Sequence, residues 1–139
     1  MSEFETEKPR PGTQSPVRPR HGIVRSFGFA FEGLWYLLRT QRNARIELLI
    51  GAIACALGAW LRIGRVEWAI LAITIASVFI LEGINTAFEA AIDLASPNPH
   101  PLAKACKDLA AAMVLVAAIA SLAVGLLILG PPLWHRLVK

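Results

Sequence analysis

The chain has 139 residues, of which 55% are hydrophobic and 17% charged, with a mean hydropathy of +0.54 and a net charge of +4. The length allows one domain, and so apolar a composition excludes an ordinary soluble one, since so small a chain has no surface left to cover its apolar segments. No basic stripe with interleaved aromatics appears, which excludes nucleic-acid binding, and Cys55 and Cys106 lack metal or redox spacing and read as small packing residues.

Residues 1–21 hold four of the nine prolines and almost no apolar residues, so a disordered cytoplasmic tail is expected there, without the apolar core of a signal peptide. Next, Ile23, Val24, Phe27, Phe31, Leu34 and Leu38 recur at helical spacing, with Arg25, Glu32 and Arg39 opposite. That pattern predicts an amphipathic helix over about 23–40, lying in the membrane interface or packed on protein.

Three apolar segments follow. Leu48–Leu61 and Trp68–Leu81 are charge-free for 14 residues each and Leu109–Trp134 for 26. Only the third clears the roughly 20-residue criterion for a span unaided. Arg45 and Arg62 lengthen the first by snorkelling, giving a span over about 44–62. The second continues in helical pattern from Val66 to Ala95, about 45 Å at 1.5 Å per residue. A tight loop over Arg62–Glu67 joins these two. Pro97, Pro99 and Pro101 end the second span, and a third is expected over about 102–129, stopped by Gly130-Pro131-Pro132 and leaving a short tail over 135–139. The fold expected is an all-α integral membrane protein: a surface helix plus three transmembrane helices, in one lipid-embedded domain over 22–134.

Eight Lys/Arg precede the first span, two lie in the first loop, two near the second and two at the C-terminus. A cytoplasmic N-terminus places ten inside and four outside, the orientation favoured by the positive-inside rule.

The second span is unusual in its last third, where LEGINTAFEAAID carries Glu82, Asn85, Glu89 and Asp93. Counting about 100° per residue from Glu82, Asn85 lies near −60°, Glu89 near −20° and Asp93 near +20°, one stripe on one face. Acids within a span cost about 2.5–3.5 kcal/mol each on insertion scales, which makes them functional candidates. Lys104, Lys107 and Asp108 share a face at the start of the third span, and the short proline loop makes the two helices antiparallel neighbours. Carboxylates facing lysine suit a metal–phosphate centre, with hard oxygens for Mg²⁺ and ammonium for phosphate. They equally suit a proton relay. As structural groups, Glu89 and Asp93 would be interfacial acids and Lys107 their ion-pair partner.

E82-G-I-N85-T-A-F-E89-A-A-I-D93, followed by A-K104-A-C-K107-D108 and preceded by R39-T-Q-R-N43-A-R45, resembles the bacterial diacylglycerol kinase/undecaprenol kinase family, whose first motif reads approximately E-x-x-N-[TS]-A-x-E-x-x-x-D. The resemblance extends from about Arg25 to Trp134. It implies a homotrimeric lipid kinase of the bacterial inner membrane that uses Mg-ATP. Consistently, no Walker G-x-x-x-x-G-K-[ST], H-R-D or D-F-G element is present. By position, the resemblance implies Glu82 as general base on the lipid hydroxyl and Glu89 as the acid for metal and ATP. It likewise implies Asn98, Pro99 and His100 as a nucleotide-contacting loop, Lys107 and Asp108 as ATP-binding residues, and Asn85 and Asp93 as polar support. Gln41 stands where the family often has an acidic second metal ligand, Glu47 where many members have histidine, Ala112 where glycine is usual, and Gly22 where some place an ATP-contacting arginine, a role Arg25 is positioned to take.

The expected activity is therefore phosphorylation of a membrane lipid alcohol by ATP with Mg²⁺, diacylglycerol preferred and undecaprenol close behind. The alternative is a non-catalytic three-span protein or proton/ion relay.

Overall fold

A computed structural model describes residues Gly22 to Lys139; the tail expected over residues 1–21 lies outside the described residues. Four helices follow one another: α1 (Ile23–Thr40), α2 (Arg42–Leu61), α3 (Arg65–Ala95) and α4 (Pro101–Leu137), with no strand among the described residues. Three of them, α2, α3 and α4, are long and apolar enough to cross a membrane. α3 and α4 share the broadest contact, while α2 packs on both and α1 packs mainly on α2.

Small residues set how closely the spans approach. Ala44, Gly51 and Gly58 of α2 are buried at a seven-residue interval, a seam that lets another helix lie close. A Cβ on Gly51 would sit 3.0 Å from Ile75 Cγ2, and one on Gly58 would sit 3.0 Å from Ile63 Cδ1 and 3.3 Å from Trp68. On α3 the facing positions Leu71, Ile75 and Val78 alternate by four and three residues, and the next step in that register is Glu82. A carboxylate thus occupies a helix-packing position. Gly51→Val should overpack the α2–α3 seam by about 1–3 kcal/mol. Its thermal unfolding midpoint in mild detergent is expected to fall, and an unchanged midpoint would show that the seam is loose.

The α2–α3 turn is shorter than the expected Arg62–Glu67, since only Arg62, Ile63 and Gly64 are non-helical in character and Glu67 belongs to the first turn of α3. Arg62 is left-handed (φ 56°, ψ 47°), its N–H bonding Ala59 O at 3.2 Å while Ile63 N–H reaches Gly58 O at 3.1 Å. This is a Schellman ending with Ile63 packed over Gly58.

Helix α4 corrects the expected stop at Leu129. It runs through Gly130-Pro131-Pro132 to Leu137, so His135, Arg136 and Leu137 of the expected tail continue the helix while Val138 and Lys139 lie beyond it. Each proline removes one backbone donor, but Gly130 has no Cβ to clash with the Pro131 ring. The extension also has an anchor. Arg136 Nη1 donates to Trp60 O at 3.0 Å, and its guanidinium lies 4.9 Å from the Trp60 ring. Trp60 O is one of the carbonyls that the end of α2 leaves without a helical partner, so Arg136 caps α2 while holding α4 beyond the prolines.

One extended residue, Gln41 (φ −99°, ψ 119°), separates α1 from α2 and lets α1 take its own direction. Phe27, Phe31, Trp35 and Tyr36 are exposed in the protomer, whereas Leu37 is buried. Leu37 Cδ2 lies 3.7 Å from where a Cβ on Gly83 would stand, which seats the last turn of α1 beside Glu82.

Candidate functional site

Two clefts flank the polar stripe of α3. The first, about 310 Å³, lies among α2, α3 and α4 and is lined by Asn43, Glu47, Glu82 and Asn85 with apolar walls including Ile46 and Val114. Asn43 and Glu47 are four residues apart on one face of α2 and so face the α3 stripe together. Glu82 is 2% exposed, the most enclosed charged side chain among the described residues. Glu47 Oε2 and Asn85 Oδ1 are buried without a hydrogen-bond partner. Buried acceptors left unpaired are costly, about 1–3 kcal/mol each, and mark a place where a donor is missing.

The second cleft, about 650 Å³, sits where α3 hands over to α4 and is lined by Asp93, Asn98, Pro99, His100, Lys104, Lys107 and Asp108 among others. Its loop is fixed locally. Ser96 Oγ donates to Asn98 O at 3.1 Å, and His100 serves as N-cap of α4, its Nδ1 accepting from Leu102 N–H at 3.2 Å, with Pro101 next. Because Nδ1 accepts, a neutral His100 carries its proton on Nε2 and keeps a donor free of the cap. His100→Ala should cost about 1 kcal/mol at the start of α4. Faster hydrogen exchange at the Leu102 amide would report it, with His100→Asn restoring protection; equal exchange in all three would remove the cap.

The lysines are crossed relative to their sequence order. Lys107 Nζ pairs with Asp93 across the α3–α4 contact, and Lys104 Nζ pairs with Asp108 within α4. The adjacent Lys107 and Asp108 therefore point to different partners.

Between the clefts, Asn85 Nδ2 donates to Glu89 Oε1 at 3.3 Å. Glu89 is half-buried and lines neither cleft, but it follows Asn85 and precedes Asp93 by one helical turn each, which places it midway between them. Gln41 is half-buried at the α1–α2 junction and lines neither cleft; Arg25 lies over the Phe29 ring at 5.9 Å, also outside both. Glu82 and Asn85 thus share one cleft and Asp93, Asn98, Pro99, His100, Lys107 and Asp108 the other, joined through Glu89. Asn43 and Lys104, which stand within the motif stretches but to which the resemblance assigns no role, join these clusters: Asn43 one turn before Glu47 in the first cleft and Lys104 one turn before Lys107 in the second.

No three His, Cys, Asp or Glu side chains converge on a common metal position among the described residues. Mg²⁺ seldom needs such a cage, since it keeps waters and takes one or two carboxylates plus substrate phosphates. Glu89 with the unpartnered Asn85 Oδ1 one turn away is a partial set of hard oxygens that fits an ion arriving on phosphates.

Comparison with known proteins adds independent findings. Residues 28–129 match the family model described as prokaryotic diacylglycerol kinase. A diacylglycerol kinase of Synechocystis is 38% identical over 135 residues, covering 93% of this chain and 77% of the relative. An undecaprenol kinase of Bacillus subtilis is 42% identical over 114 residues, covering 80% and 90%. A diacylglycerol kinase of Escherichia coli is 28% identical over 97 residues, covering 70% and 80%.

Proposed function

Because this chain belongs to the prokaryotic diacylglycerol kinase family, we propose that it is a membrane lipid kinase moving the γ-phosphate of ATP onto a lipid hydroxyl, at the two clefts joined by Glu89. The observation that carries the assignment of roles is the burial of Glu82 at a helix-packing position. A carboxylate there is costly as structure and valuable as a base next to lipid. The lipid alcohol enters the Glu82 cleft from the apolar side, and Glu82 accepts its hydroxyl proton as the oxygen bonds to the γ-phosphorus and the bond from that phosphorus to the β,γ-bridging oxygen breaks, releasing ADP. Asn85, hydrogen-bonded to Glu89, aligns the two carboxylates along α3.

The nucleotide occupies the second cleft. Asn98, Pro99 and His100 border its outer part, Lys107 meets phosphate charge, and Asp93 and Asp108 orient the lysines. Mg²⁺, held by Glu89 with Asn85 Oδ1, would supply charge neutralisation at the phosphates. Phosphoryl transfer needs mostly such positioning and neutralisation from a protein.

Diacylglycerol is the preferred substrate, with undecaprenol second. The amide of Asn43 lines the Glu82 cleft, and an amide donor has partners in the ester carbonyls of a glycerolipid that an isoprenoid chain lacks. The enzyme works with its N-terminus in the cytoplasm, as its basic residues favour. A homotrimer covers the apolar faces that α4 leaves open in the protomer; cross-linking in mild detergent that stops at dimer contradicts it. The substrate is tested by offering diacylglycerol and undecaprenol in parallel mixed micelles with γ-labelled ATP. Faster labelling of diacylglycerol is expected; faster labelling of undecaprenol reverses the order.

A further inference from the structure

We infer that Lys104 is a second phosphate-binding cation of the nucleotide cleft, engaging the inner phosphates while Lys107 serves the terminal one. This rests on the nucleotide assignment of that cleft. Four charged side chains line it, Asp93, Lys104, Lys107 and Asp108, and their charges cancel. A neutral cleft offers a polyphosphate no long-range attraction, so affinity must come from direct contact with ammonium groups. Each lysine is paired with one carboxylate oxygen, Lys104 with Asp108 and Lys107 with Asp93. An ammonium has three donors, so each keeps two for a ligand without leaving its acid.

Placement separates the roles. Lys104 lies one turn nearer the His100 end of α4 than Lys107, a rise of about 4.5 Å along the helix. It therefore stands at the loop side of the cleft, and Lys107 on the side of Glu89 and Glu82. A polyphosphate pointing its terminal group at the lipid hydroxyl passes Lys104 before Lys107. Lys104 is also the more open of the two, with 77% of its side chain exposed against 33% for Lys107. An exposed i,i+4 ion pair contributes only about 0.3–0.5 kcal/mol to a helix, so replacing Lys104 should leave the fold nearly unchanged.

The test is calorimetric titration of Mg-ATP and Mg-ADP into the full-length wild type, Lys104→Gln, Lys104→Arg and Lys107→Gln in detergent. Loss of a charge-assisted contact should weaken both nucleotides about tenfold in Lys104→Gln. Lys104→Arg should recover most of that affinity. In turnover, Lys104→Gln should raise KM for ATP while leaving KM for lipid and kcat near wild type, a split that a merely structural lysine would not produce. Unchanged ATP and ADP affinity in Lys104→Gln overturns the inference while leaving the cleft assignment standing. A loss that Lys104→Arg does not recover, with a lowered melting temperature before nucleotide is added, overturns it in favour of a structural role. Failure of the wild type to bind either nucleotide overturns both.

Discussion

Glu82→Gln is expected to lower lipid phosphorylation by at least about 100-fold while leaving Mg-ATP affinity within about twofold of wild type, since a general base contributes roughly 10²–10⁴ in rate. Glutamine keeps the shape and volume of the side chain, so the α2–α3–α4 packing around this 2%-exposed position is retained. What it loses is the ability to take a proton. The cleft proposed for the nucleotide does not include Glu82, which is why binding and turnover should separate. The neighbouring Glu47 shares the Glu82 cleft but lies on α2, and its buried Oε2 has no hydrogen-bond partner. A Glu82→Gln enzyme retaining more than a tenth of the rate would move the role of base from Glu82 to that second carboxylate.

Lys107→Gln should reduce kcat/KM for ATP by about 10–100-fold, the usual cost of removing a charge-assisted contact to an anion. The fold should hardly notice. Asp93, its partner, is 67% exposed, and an ion pair so open to water contributes about 0–1 kcal/mol. The melting temperature without nucleotide is therefore expected to stay close to wild type, and the protection that Mg-ATP gives the wild type should be lost. A large drop in melting temperature with preserved nucleotide protection would make Lys107 a structural tie between α3 and α4.

Helix number and type are legible in the sequence because charge-free runs and helical periodicity in α1 leave few alternatives. The polar stripe of α3 is legible too, since 82, 85, 89 and 93 follow the helical period whatever the neighbours are. Two features depended on tertiary partners. Pro131-Pro132 reads as a stop, yet Arg136 reaches Trp60 across the bundle, a contact between residues 76 apart in the chain. That Lys107 pairs with an acid of the stripe is legible in the sequence, but the choice of Asp93 over Glu89, and the turning of Asp108 to Lys104, depend on how α3 and α4 are packed. Glu82 as a packing position follows only once Gly51 is seen against Ile75, because the register of α2 on α3 is not written in either helix alone.

The most direct test is Mg²⁺-dependent transfer of labelled γ-phosphate from ATP to a lipid alcohol by the purified chain in mixed micelles, with Glu82→Gln beside it. Label in the lipid with wild type and almost none with Glu82→Gln is the predicted result. Equal labelling by both would contradict the role of the buried carboxylate. No labelling of either lipid by folded wild type would contradict the kinase itself and favour the reading of the acid stripe as a proton or ion relay.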